Sequence, residues 1–160
     1  MKGGRARFYV SDVARIGGIA LPEKELFDRA IFMFSIQDID NHAEAIRNAA
    51  QLLKPHGEML IFMIHPAFRI PRQSGWGKDE GRKLTYRRID RYKTEATIPL
   101  PQRTGKSEVT SFFYHRPLGS YVHALKNAKC VVLDMKEIYS SNGSHEAEFP
   151  HFLLIHAARL

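Results

Sequence analysis

The chain has 160 residues, 44% of them hydrophobic and 26% charged, with a formal net charge of +7. That is the composition of one ordinary soluble globular domain, and no run of about 18 apolar residues exists to cross a membrane as a helix. A single cysteine, Cys130, excludes an internal disulfide, which fits a reducing cytoplasm.

Met1-Lys2-Gly3-Gly4-Arg5 lacks the apolar core and small-residue cleavage site of a signal peptide. Residues 7–13, Arg-Phe-Tyr-Val-Ser-Asp-Val, are aromatic and β-branched and predict a short strand with Asp12 at its carboxyl end. Gly17 and Gly18 mark a loop. A near-continuous apolar strand follows over 27–35, as a parallel sheet covered on both faces requires. The next segment, 40–54, is helical. Asp40 or Asn41 caps it, Asn41 and Glu44 have capping-box spacing, and Ala43, Ile46, Ala50 and Leu53 form one apolar face. Pro55 and Gly57 end it, and a second apolar strand over 59–64 completes a strand-helix-strand unit.

From Pro66 to about Thr110 no period is sustained, and prolines and glycines recur. Such a stretch inside a compact domain is functional or mobile. It reads as an insertion over a site, spanning 66–116, with strands at 96–100 and 109–114. The excess positive charge is concentrated here: Arg69, Arg72, Lys78, Arg82, Lys83, Arg87, Arg88 and Arg91 face only Asp79, Glu80 and Asp90. Pro117 suits the first position of a helix whose apolar face is Leu118, Tyr121, Val122 and Leu125. A strand over 131–138, a polar loop over 140–148 and a strand over 149–158 predict a final antiparallel pair. Cys130, beside Val131, Val132 and Leu133, reads as core rather than as a nucleophile.

The order strand, Asp, loop, strand, helix, Lys-Pro-x-Gly, strand, insertion, helix, strand, strand resembles the class I S-adenosylmethionine-dependent methyltransferases. Gln51-Leu52-Leu53-Lys54-Pro55-His56-Gly57-Glu58 is similar to that family's turn before its fifth strand, with His56 where a glycine is usual. Tyr114-His115-Arg116-Pro117-Leu118 and Glu148-Phe149-Pro150-His151-Phe152 are similar to the segments around its last helix and final strand. His65-Pro66-Ala67-Phe68-Arg69-Ile70-Pro71, Trp76 and the run from Tyr86 to Tyr92 resemble a subgroup acting on small molecules, of the methyltransferase type 11 kind.

The resemblance implies an α/β, Rossmann-like sheet, mostly parallel with an antiparallel last strand. It also implies that the family's first two strands, with their glycine-rich turn and ribose-binding acid, are not in these 160 residues. The chain then reads as one N-terminally truncated methyltransferase domain over 1–160. Its strand over 27–35 becomes an edge, unless residues 7–13 dock beside it or a second copy or partner chain completes the sheet.

For the site, the resemblance implies S-adenosylmethionine as cofactor and S-adenosylhomocysteine as product, bound weakly for want of the glycine-rich turn. Asp12 and the Val13 N–H would meet the adenine, Met33 and Phe34 would flank the methionine part, and Gln37 would face cofactor or substrate. On residue type alone, Met33 and Phe34 read as plain core sooner than as cofactor contacts. His65, directly after an apolar strand, is the candidate general base, or a histidine bonded to turn backbone. Arg69, Trp76, Tyr86, Arg87 and Arg88 in the insertion, with His115 and Arg116, are the candidate contacts to a small-molecule methyl acceptor: Arg for a carboxylate or phosphate, the rings for a planar or cationic group. Packing within the insertion accounts for them as well.

No His-x-x-x-His pair or Cys/His cluster calls for a metal. Two other readings stand behind the enzyme. One is a non-catalytic remnant or interaction module that pairs through a bare sheet edge. The other is a basic nucleic-acid-binding module, ranked last because no recognised motif accompanies the charge.

Overall fold

The computed structural model describes residues 6, 8–18, 26–104, 107–139 and 145–160. Four strands form the main sheet: β1 (Phe27–Met33), β2 (Leu53–Ile64), β8 (Phe152–Arg159) and β7 (Cys130–Ile138), in the order β1-β2-β8-β7. β1 and β2 are parallel, while β8 runs antiparallel to both β2 and β7. Two helices, α1 (His42–Gln51) and α2 (Leu118–Asn127), cover one face. The rest is two hairpins, β3 (Ser74–Asp79) with β4 (Leu84–Ile89), and β5 (Ala96–Thr104) with β6 (Ser107–His115).

The parallel unit forms as its pattern dictates. Asn41 caps α1, its Oδ1 accepting the Glu44 N–H at 3.1 Å. Ala45, Ile46, Ala49 and Ala50 of α1 meet Tyr121, Ala124 and Leu125 of α2 over Met59, Ile61, Met63, Leu153 and Ile155. Alternation along β2 and β8 sends every second side chain into this core. Cys130 is buried with them, and burial pushes its thiol pKa up, so it is packing and not a nucleophile. A smaller core of Ile70, Ile98 and Phe113, with Ile64 beside it, ties the β5–β6 hairpin to the end of β2.

Several expectations change. Residues 8–12 form no strand: Phe8 and Val10 stand in solvent, and a 3-10 turn begins at Val13. A strand needs a neighbour to take its hydrogen bonds, and among the described residues no strand pairs with 8–12. Arg7, Gly3 and Gly4, and the 140–144 part of the polar loop, lie outside the described residues. Ala43 faces solvent, and Ala45 and Ala49 take the place expected for it. Leu53 is buried as the first residue of β2 and not as helix. Val122 lies off the buried face of α2, and Pro117 is the residue before the helix rather than its first. The final strand starts at Phe152 and not at 149.

The insertion is more regular than its sequence suggests, since it holds the whole β3–β4 hairpin as well as the expected pair. Finally, the Pro55-His56-Gly57 turn is a bulge inside β2: pairing with β1 slips between Phe27↔Leu53 and Arg29↔Glu58, and His56 takes φ 62°. That left-handed backbone is where glycine costs nothing.

The other face of the sheet carries Ile31, Met33, Leu60, Phe62, Phe152 and Leu154. Among the described residues no helix lies on it, and Ile31 and Met33 are 59% and 60% exposed.

Candidate active site

The carboxyl ends of β1, β2 and β7 come together, where ligands bind open α/β sheets. Met33 ends β1, and Phe34 turns the chain at φ 52°, a costly backbone for a bulky residue. Its ring packs edge-on against Phe62 at 4.6 Å and Phe152 at 5.3 Å. Met33 and Phe34 are both exposed, so neither is core.

Gln37 sits just beyond, in the 3-10 turn Ile36–Asp38, and is buried. Its Nε2 donates to the Ile64 carbonyl and its Oε1 accepts the Ile64 N–H, both at 3.0 Å. The amide therefore acts as one more rung of the β1–β2 ladder after β1 has turned away, and it has no free polar atom on that axis for a ligand.

His65 follows β2 and is buried. Its Nδ1 accepts the Ala67 N–H at 3.2 Å, which places the proton on Nε2, 3.2 Å from Glu137 Oε1. Burial lowers its pKa, with Glu137 opposing. Both ring nitrogens are engaged, so the site geometry makes His65 an anchor between β2 and β7 rather than a free base. His42, at the start of α1, is also held below its usual pKa by burial, with the Arg116 charge adding to it.

The sign of the resulting pH dependence is fixed. A histidine with a folded pKa below its unfolded value near 6.5 stabilises the fold above that pH and loses this as pH falls. Melting temperature is expected to drop between about pH 7 and about pH 5.5, and His65→Gln should flatten that slope. A pH-independent melting temperature in the wild type would contradict the buried neutral state.

The predicted substrate residues fall into two groups. Rings run from His65 to Phe68 (4.9 Å), Phe149 (5.6 Å) and Trp76 (5.5 Å), with the Arg87 guanidinium 5.2 Å from the Trp76 ring centre. This row docks the β3–β4 hairpin on the sheet. Arg87 donates from Nε to the Phe68 carbonyl at 2.8 Å and from Nη2 to Ser74 Oγ at 3.0 Å. Tyr86 lies across Gly77, where a Cβ would come within 2.5 Å of its ring. Arg88 is exposed and paired with Asp90 at 3.0 Å. A cavity of about 410 Å³ opens beside this hairpin, and Arg69 and Arg87 line it.

His115 and Arg116 belong to a separate cleft of about 470 Å³ between the start of α1 and the β5–β6 hairpin. Both are buried: His115 Nε2 lies 2.8 Å from the Tyr92 carbonyl, and Arg116 Nη2 donates to the Ile39 and Asp40 carbonyls. Sequence reasoning missed His42, which lines this cleft, and Glu137. Neither carries a sequence signal, because their importance lies in long-range contacts.

Asp12 is far more open. Its Oδ1 accepts the Ala14 N–H at 2.9 Å, and Arg15 lies 3.6 Å from Oδ2. The Val13 carbonyl accepts from Asn48 Nδ2 at 3.0 Å, which pins the 3-10 turn to α1.

The architecture has close counterparts among solved structures. An S-adenosylmethionine-dependent methyltransferase from Mesorhizobium loti matches 93% of this chain and 68% of its own, with 24% identity and a TM-score of 0.71. The fold is that of the S-adenosylmethionine-dependent methyltransferases. A structure from Listeria monocytogenes matches 91% of the chain and 66% of its own, with 22% identity and a TM-score of 0.70. The Burkholderia thailandensis 1,6-didemethyltoxoflavin N1-methyltransferase, with its substrate and S-adenosylhomocysteine bound, matches 96% of this chain and 50% of its own, with 13% identity and a TM-score of 0.51. This chain thus spans about two thirds of the first two structures. No protein-family model matches the sequence, and no curated protein does. Among the described residues of this methyltransferase fold, no helix is long and apolar enough to cross a membrane, and no three metal-ligating side chains cluster.

Proposed function

We propose that these residues form the acceptor-side part of an S-adenosylmethionine-dependent methyltransferase acting on a small molecule. The observation that supports this best is the exposed Met33–Phe34 shelf at the carboxyl end of β1, within a sheet of methyltransferase order. A pair of large exposed apolar side chains at a sheet's ligand-binding end suits contact with the apolar part of a ligand. The 1,6-didemethyltoxoflavin bound by the Burkholderia thailandensis structure supports the small-molecule class.

The residues present fit such a cofactor at its two apolar or hydrogen-bonding ends. The Asp12 carboxylate would take the adenine amino group, the Val13 N–H the ring, and Met33 and Phe34 the thioether side. The bound cofactor supplies an electrophilic methyl on a sulfonium. The chain's own part is placement, the dominant contribution to such a displacement. Gln37 holds the end of β2 against the turn after β1. His65 and Glu137 hold β2 to β7, and the two hairpins, over 66–116, cover the acceptor. With both ring nitrogens engaged, His65 positions β2 against β7 and is not the group that takes a proton from the acceptor.

Isothermal titration of the 160-residue chain with S-adenosylhomocysteine tests this. A saturable, weak interaction is expected, because neither a glycine-rich turn nor a ribose-binding acid lies in these residues. Met33→Asp should abolish it with the melting temperature unchanged, since Met33 is mostly exposed. A folded sample without saturable heat would remove the reading for these residues. Micromolar or tighter binding would overturn the expected weakness.

The same exposed shelf supports the interaction reading in one respect: among the described residues β1 pairs only with β2, which leaves its other edge to a second copy or partner chain. Sedimentation of the titrated sample distinguishes them. Cofactor binding by a monomer favours the enzyme, and a cofactor-insensitive dimer favours pairing.

A further inference from the structure

We infer that the cavity at the carboxyl end of β2 binds an oxyanion, a carboxylate or phosphate, carried on an apolar body. Three guanidinium side chains, Arg69, Arg72 and Arg87, line it over a floor that includes Ile64, Ile70 and Phe152. No carboxylate is among the lining residues. Arg87 is held by the Phe68 carbonyl and Ser74 and stacked on Trp76. Among the described residues, the side chains of Arg69 and Arg72 have no hydrogen-bond or ion-pair partner. Two acids on neighbouring elements are engaged elsewhere: Glu137 with His65 and Tyr139, and Asp90 with Arg88.

Unpaired guanidiniums beside an apolar floor repel each other, and a shared anion relieves that. The planar fork of Arg matches a carboxylate or phosphate. Arg72 also stands at φ 60°, a left-handed backbone that is unfavourable for a non-glycine residue. It is held there at the lip of the cavity. The floor then gives the ligand its direction. Phe152 packs on Phe34, 5.3 Å between ring centres, so a molecule anchored by its oxyanion would extend its apolar body toward the Met33–Phe34 shelf. Calling this ligand the methyl acceptor rests on the proposed function; the oxyanion site itself does not.

Trp76 is the chain's only tryptophan and touches Arg87, so its fluorescence reports on the cavity. The wild-type chain is titrated with benzoate, phenyl phosphate and the neutral benzamide. Saturable quenching by an oxyanion is expected, with benzamide at least about tenfold weaker. Whichever oxyanion binds tighter names the head group. The double variant Arg69→Gln/Arg72→Gln should weaken oxyanion binding about tenfold and leave the benzamide response alone, its fold confirmed by circular dichroism.

Equal responses to benzoate and benzamide, no saturable response to either oxyanion, or an unaffected double variant would overturn the proposal. The wild-type comparison needs no variant to fold. Oxyanion binding without S-adenosylhomocysteine binding would keep this site and remove the methyltransferase reading; the converse would do the opposite.

Discussion

Gln37→Leu is expected to destabilise the chain by about 3 kcal/mol, read as a shift in the urea unfolding midpoint with the slope unchanged. Leucine is close to glutamine in volume, so the cost is not a cavity. It comes from the Ile64 N–H and carbonyl, which Gln37 satisfies at 3.0 Å each. Both groups point toward the side of β2 that β1 has left. Phe34 N–H still reaches the Phe62 carbonyl at 2.8 Å, but no backbone continues the ladder to Ile64. A buried backbone group without a partner costs about 1–3 kcal/mol, and two are exposed to that cost here. Gln37→Glu separates this from simple packing. A carboxylate can accept from the Ile64 N–H but cannot donate to its carbonyl, whereas the protonated acid can do both. Relative to wild type, Gln37→Glu should recover as the pH falls. If Gln37→Leu costs under about 0.5 kcal/mol, water replaces the amide and Gln37 is free to serve a ligand.

This residue shows where sequence reasoning reaches its limit. The strand-helix-strand unit was legible because its signals are local: the Asn41–Glu44 cap, helical spacing through Ile46 and Ala50, and two apolar strands. The same holds for the antiparallel end and for buried Cys130. The β3–β4 hairpin was not legible. Leu84-Thr85-Tyr86-Arg87 alternates without one clean apolar face, and the hairpin is stabilised by docking Trp76 and Arg87 against Phe149 and Phe68, rings distant in sequence. Isolated hairpins are marginal, and tertiary docking decides them. Residues 8–12 fail in the opposite sense, since their strand propensity is sound but among the described residues no strand pairs with them.

The site divides in the same way. Met33 and Phe34 were legible as strand-end residues, and their exposure is what the structure adds. Gln37, which the resemblance points at cofactor or substrate, and His65, His115 and Arg116, polar residues beside a strand end or a helix start, all turn their polar atoms inward to carbonyls, amides and a carboxylate. Of the residues with charge to spare, Arg69 stands among the sequence's candidate acceptor contacts, while Arg72 is one more charge in a basic run. Polar side chains declare their chemistry in sequence but not their partners. The partners that matter here lie 27 residues away for Gln37, 72 for His65 and 77 for Arg116.

Arg116 provides the second large effect. Arg116→Leu is expected to cost about 3 kcal/mol of stability. The side chain is 4% exposed and reaches from the β6–α2 junction to the loop before α1. There Nη2 donates to the Ile39 carbonyl at 2.9 Å and to the Asp40 carbonyl, while the guanidinium lies 5.3 Å from the Tyr114 ring centre. Hydrogen bonds from a charged donor contribute about 1.5–3 kcal/mol each, and removing the donor leaves two carbonyls to find water. Relief from burying a charge offsets part of this, which keeps the figure near 3 rather than 6. Arg116→Lys should recover little, because one ammonium cannot reproduce the fork or lie flat on Tyr114. A substrate-binding arginine behaves differently: its loss weakens ligand affinity and leaves the unfolding midpoint in place. Measuring both quantities on the same variant decides between strut and ligand, and the inward-turned guanidinium argues for the strut.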